Sequence, residues 1–119
     1  MKQINFMYFN DNATSDGTGI STSFNSDALL AIDTTGANVV TMYFEDHVGD
    51  NDAPDDVAIT CTNGATDQLD YAHRKGAIST MVSLANSVNK GGHVVCFDTL
   101  NNINPNSTDI ASIAITMNS

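Results

Sequence analysis

Tryptophan is absent from this sequence, proline and cysteine each occur twice, and lysine and arginine together number four. Each scarcity closes a route. The bases Lys2, Arg74, Lys75 and Lys90 stand against 14 acids, for a net charge of −10. Nucleic-acid binders need a basic surface to neutralise phosphate, so DNA and RNA are not expected partners. An anionic membrane surface would repel the chain for the same reason. No run of eighteen apolar residues supports a membrane span, and Met1–Phe9 is too short and polar for a secretory h-region. Cys61 and Cys96 each lie within an apolar stretch and read as two buried free thiols. No Cys-x-x-Cys or His-x-x-x-His spacing suggests zinc. The lack of tryptophan, the strongest stacking residue, weighs against a sugar-binding module.

What remains is neutral and polar. The 119 residues suit one domain, 1–119. Asn, Thr, Asp and Ser supply 14, 13, 13 and 10 residues, all types that favour turns, caps or sheet faces over helix interiors. An all-helical bundle is therefore not expected.

Alternation of period two marks the strands. Gln3–Phe9 sets Ile4, Phe6 and Tyr8 on one face and Asn5, Met7 and Phe9 on the other. Asn10–Gly19 is turn chemistry, and Ile20–Phe24 reads as a short edge strand. Ala28–Ile32 is a short apolar run that should pair across an Asp33–Gly36 turn with Asn38–Glu45. There Val40, Met42 and Phe44 share a face. Asp56–Thr62 continues with Val57, Ile59 and Cys61 on one side.

One helix is expected, from Asp67 or Asp70 to Asn89. Its apolar stripe is Ile78, Met81, Val82, Ala85 and Val88. Acids at its start, Lys90 near its end and Gly91-Gly92 beyond suit the helix dipole and a stop. His93–Asp98 reads as a buried strand. Asp109–Met117 alternates Ile113, Ile115 and Met117 against Ser112, Ala114 and Thr116. The expected fold is α+β: a small β-sheet or sandwich domain of about six strands with one packed helix, order ββββαββ, extended by the Ile20 edge strand if it forms.

Catalytic signals are few. His47, His73 and His93 fall in no nucleophile motif, and no Gly-x-Ser-x-Gly occurs. Gly17-Thr18-Gly19 lacks the third glycine and the following helix of a dinucleotide site. Asp46, Asp50, Asp52, Asp55 and Asp56 supply hard oxygen ligands and form the candidate calcium site, although EF-hand spacing fails.

Val57-Ala58-Ile59-Thr60, the helix with Met81 and Ala85-Asn86-Ser87-Val88-Asn89, then Val94-Val95-Cys96-Phe97-Asp98 and Ile113-Ala114-Ile115-Thr116 form a recognisable outline. Over residues 28–117, with the acidic Asn/Thr/Ser-rich composition, the chain resembles small proteins encoded by marine tailed phages, cyanophages among them. Such proteins are commonly assigned to the virion structure. The resemblance implies a non-enzymatic virion structural protein, most naturally a capsid decoration or cement protein on the outer shell, where acidic charge keeps clear of packaged DNA. Expected partners are the major capsid protein, other virion proteins and further copies of the chain. Phe6, Tyr8, Phe9, Ile113, Ile115 and Met117 are the candidate contacts. A neck, tail or other shell position, and a surface or secreted glycan-binding β module, are the competing readings. No catalytic residues and no cofactor other than calcium are expected.

Overall fold

The computed structural model describes residues 6–12, 19–45, 54–86 and 92–117. They form seven strands and one α-helix among the described residues, an α+β domain. In chain order these are β1 (Phe6–Asn10), β2 (Ser21–Asn25), β3 (Leu29–Gly36), β4 (Val39–Phe44), β5 (Asp55–Cys61), α1 (Asp67–Ala85), β6 (His93–Asp98) and β7 (Ile110–Thr116). A 3₁₀ turn, Ser26–Ala28, joins β2 to β3, with the Asn25 side chain accepting from the Asp27 amide. The edge strand expected at Ile20–Phe24 is present as β2. No helix among the described residues is long and apolar enough to cross a membrane.

The strands divide into two sheets. The first has the order β2-β1-β6, and the second β3-β4-β5-β7. All pairings are antiparallel except β1 with β6, which run parallel. Parallel neighbours cannot be joined by a tight turn, and here nearly the whole fold intervenes between them.

The sheets face one another across one core. Met7, Phe9, Phe24, Val94, Cys96 and Phe97 enter it from the first sheet. Val40, Met42, Phe44, Val57, Ile59, Cys61, Ile110, Ile113 and Ile115 enter from the second. Phe24 stacks on Phe44 across the gap, with centroids 4.1 Å apart and planes 6° from parallel. Phe9 meets Phe44 edge-on at 6.3 Å. Such ring pairs add about 0.5–1.5 kcal/mol beyond burial. Both cysteines are free and buried.

Bulges decide which residues face this core. Tyr8 pairs with Val95 but Phe9 with Phe97, so Cys96 is an extra residue and both Cys96 and Phe97 turn inward. A similar shift between Thr60 and Cys61 leaves Ala111 extra, so Ile110 and Ile113 both turn inward despite their odd spacing. The β3–β4 turn falls at Ala37-Asn38, later than the expected Asp33–Gly36, and β3 runs through those four residues with a bulge at Thr35. Thr35 Oγ1 and Thr41 Oγ1 share a hydrogen bond of 2.8 Å there.

The helix starts at Asp67, as expected, and differs from expectation in its C-terminal end and in its buried face. Thr66 is the N-cap, its hydroxyl accepting from the Leu69 amide at 3.2 Å, with Asp67 and Asp70 in the first turn. Asn86 is the C-cap, both its amides donating to the Val82 carbonyl at 3.1 Å. Val88, Lys90 and Gly91 lie outside the described residues; Gly92 adopts φ 70°, a conformation that suits glycine. Ala77 and Met81 are the buried helix residues, flanked by Ile78, Leu84 and Ala85, whereas Val82 is 43% exposed. The expected stripe is thus rotated toward Ala77. Small Ala77 lets the helix come close to β4, β5 and β6, which it contacts.

Candidate functional surface

Alternation in the first sheet sends Met7 and Phe9 inward and Phe6 and Tyr8 outward. Strand pairing aligns Phe6 with His93 and Asn25, and Tyr8 with Val95 and Ser23. The outer face therefore reads Ser/Asn on β2, aromatic on β1 and His/Val on β6. None of these residues is acidic, in a chain of net charge −10. Phe6 is 50% exposed, Val95 38%, and the Tyr8 and His93 rings lie 5.9 Å apart. Exposed apolar residues scattered singly are ordinary, but these adjoin one another across two paired strands and form a patch.

Of the six contact candidates, Phe6 and Tyr8 are on this outer face. Phe9, Ile113 and Ile115 are buried, and Met117 packs partly against the core. Correcting their assignment, we place Phe9, Ile113 and Ile115 in the core, because their parity points them between the sheets. Val95 was missed as a surface residue; Val94-Val95-Cys96-Phe97 looks uniformly apolar in sequence, and only its register with β1 shows which residues emerge.

In the acidic segment, Asp46, Asp50 and Asp52 lie outside the described residues. Asp55 is fully buried on the core side of β5, opposite Phe44, whereas Asp56 faces outward opposite Tyr43. Adjacent strand residues point to opposite faces, so Asp55 and Asp56 do not converge on one ion from β5. Burial raises the Asp56 pKa, with a further push from the Asp55 charge. No group of three or more His, Cys, Asp or Glu suited to a metal occurs among the described residues.

Two polar clusters hold the sandwich. His73 Nδ1 lies 2.8 Å from Asp109 Oδ1, linking α1 to the start of β7. Asn106 Nδ2 donates to Asp109 Oδ2 at 2.7 Å and to Thr80 Oγ1 at 3.0 Å. Gly76 makes room for this, since a Cβ there would stand 2.0 Å from Asp109 Oδ2. A carboxylate-oriented imidazole is part of many acid–base sites, but nucleophile and base must also meet. Asp109 is the described hydrogen-bond partner of His73, and Thr80 donates to the Gly76 carbonyl. The thiol of Cys61 is raised by burial, lowered by the Arg74 charge and raised by that of Asp109. Burial lifts that of Cys96 to about 12. Both thiols are accordingly poor nucleophiles, and the His73–Asp109 pair acts as a staple.

The second cluster closes the ends of the parallel strands β1 and β6. Asn10 Nδ2 donates to Asp98 Oδ1 at 2.8 Å, and Asn101 Nδ2 to Asp98 Oδ2 at 2.7 Å. Asn10 Oδ1 in turn accepts from the Asn12 amide, Asn12 Nδ2 and Ser21 Oγ. The side-chain hydrogen bonds from Asn101 and then Asn10 hold Asp98 below the usual carboxylate range, against its own burial. Asp11 extends the tie to the other sheet, its carboxylate accepting from the Ile20 and Ile115 amides at 2.6 and 2.9 Å.

No family model, curated protein or solved structure matches the chain.

Proposed function

We propose that the chain is a non-enzymatic structural protein of a tailed-phage virion, a capsid decoration or cement protein that docks on the outer shell through the outer face of the β2-β1-β6 sheet. The supporting observation is the cluster of Phe6, Tyr8, His93 and Val95 on that face, an aromatic and aliphatic patch with no carboxylate among its members, in a chain of net charge −10. Apolar burial would supply affinity, and the remaining acidic surface would keep subunits apart from nucleic acid. At strand spacings of about 4.8 Å and rises of about 3.3 Å, the face covers roughly 14 by 17 Å. A specific interface needs upwards of about 1,000 Å² in total. The patch is therefore the centre of a contact whose rim extends over neighbouring surface, on the major capsid protein and on further copies of the chain. Binding of this kind stabilises a shell by mass action.

The test is co-sedimentation with shells of the encoding virus. The wild-type chain should pellet with them. Phe6→Ser combined with Val95→Ser should remain folded and lose at least about tenfold in affinity, equivalent to about 1.4 kcal/mol. A wild-type chain that stays in the supernatant, or a folded double variant that pellets equally well, overturns the proposal.

A further inference from the structure

A hollow of about 320 Å³ opens between α1 and the edge strand β3, with no lining residue from the β2-β1-β6 sheet. Tyr71, Arg74, Lys75, Ile78 and Ser79 line it from the helix, and Thr34 from the strand. Helical spacing explains the set: positions three, four, seven and eight beyond Tyr71 return to its side of the helix. The volume sits at the small end for ligand sites.

Its charge is contrary to that of the chain. Arg74 and Lys75 are the two Lys or Arg residues among the described residues, and both border this one hollow. Arg74 Nη1 donates to the Ala37 carbonyl in the β3–β4 turn, and its guanidinium carbon lies 6.0 Å from the Tyr71 ring centroid. The guanidinium is thereby held in place with further N–H donors left over. Lys75 is exposed and makes no ion pair among the described residues. Tyr71, 58% exposed, presents a ring beside these cations, and Ile78 supplies an apolar wall. Thr34 and Ser79 add hydroxyls.

We propose that this hollow binds a small organic acid: an anionic group between Arg74 and Lys75, and a ring against Tyr71 and Ile78. Charge-assisted bonds from a fixed guanidinium fix orientation, and the aromatic wall favours a flat or ring-shaped body. A sugar acid and an aromatic carboxylate share this chemistry. The site is separate from the β2-β1-β6 face and stands or falls independently of shell docking.

The test is an amide NMR titration of the full chain with glucuronate, benzoate, glucose and inorganic phosphate. At least one of the two acids should give saturable shifts at Thr34 and over Tyr71–Ser79, with glucose inert and phosphate weaker; which acid binds better identifies a sugar or aromatic source. Lys75→Met and Tyr71→Ala, both at exposed positions, should each keep the native spectrum and weaken binding about tenfold. Absence of saturable shifts up to about 10 mM acid overturns the proposal. So do unchanged affinity in both variants and phosphate shifts as strong as those of the acids.

Discussion

The two sheets share a core but differ in what they show to solvent. Behind the core side of the β3-β4-β5-β7 sheet stand Val39, Thr41, Tyr43, Asp56, Ala58, Thr60, Ser112, Ala114 and Thr116, with Ala58 directly opposite Ala114. Apart from Val39 and Tyr43 these are the small and polar residues that a sheet with one solvated face should carry. The β2-β1-β6 sheet instead keeps Phe6, Tyr8 and Val95 outside while Met7, Phe9, Val94 and Phe97 fill the inside. Packing of the core accounts for the second set but not for the first. The contrast teaches that β1 and β6 carry more apolar surface than the core between the sheets uses.

The shared core is the place to break both sheets together. Phe44→Ala removes the ring on which Phe24 stacks and should cost about 3–5 kcal/mol in urea denaturation, with both sheets lost in one transition. Gly76→Ala comes next. Alanine favours a helix by about 1 kcal/mol, yet its Cβ would collide with Asp109 and break the seam between α1 and β7. A net loss of about 1–3 kcal/mol is expected, whereas Ser79→Ala on the same helix should be nearly silent.

Asp98→Ala acts on the first sheet, leaving the Asn10 amide without its acceptor. It should cost about 1–2 kcal/mol by thermal or urea melting. Acid titration sharpens the comparison further. The folded pKa of Asp98 is lowered, so its contribution is complete above the unfolded carboxylate pKa and is lost as pH falls through the folded value. Asp56, on the outer face of the second sheet, has the opposite sign. Its raised pKa makes the charged form unfavourable, and stability is gained as pH falls through that value. Asp98→Asn should therefore flatten the loss below about pH 4, and Asp56→Asn should raise stability at neutral pH and remove the gain on acidification. Phe6→Ser should likewise change stability little, by no more than about 0.5 kcal/mol. Light scattering should nevertheless show that it abolishes any self-association of the wild-type chain through this face.

Much of the architecture is legible in the residues. Val40, Met42 and Phe44 alternate with Thr41 and Tyr43, and Val57, Ile59 and Cys61 with Ala58 and Thr60, and all six are buried as the pattern requires. The edge strand β2 and the helix between β5 and β6 are equally readable. Where both parities are apolar, as in Phe6-Met7-Tyr8-Phe9, period two reveals a strand but not which face turns inward. That choice depends on the opposing sheet. Bulges at Cys96 and Ala111 reverse parity without any local marker. The expected helix stripe holds for Ile78, Met81 and Ala85 but includes the exposed Val82 and omits Ala77, because close approach of the helix favours the smaller side chain. The Asn10–Asp98 cluster joins residues far apart in sequence through topology, which composition and spacing do not encode, whereas the hollow beside Arg74 follows helical spacing and takes only Thr34 from a distant strand.

The topology has a consequence for the order of assembly. Local contacts favour the β3-β4-β5 meander, but β1 must wait for β6 and β5 for β7, both of which follow α1 in the chain. During synthesis, the open edges of β1 and β5 would therefore emerge long before their pairing strands exist. Long-range closure of this kind slows folding and leaves sticky intermediates open to aggregation. The parallel β1–β6 ladder makes completion late and all-or-none, so that a prematurely terminated chain lacking β6 and β7 can finish neither sheet.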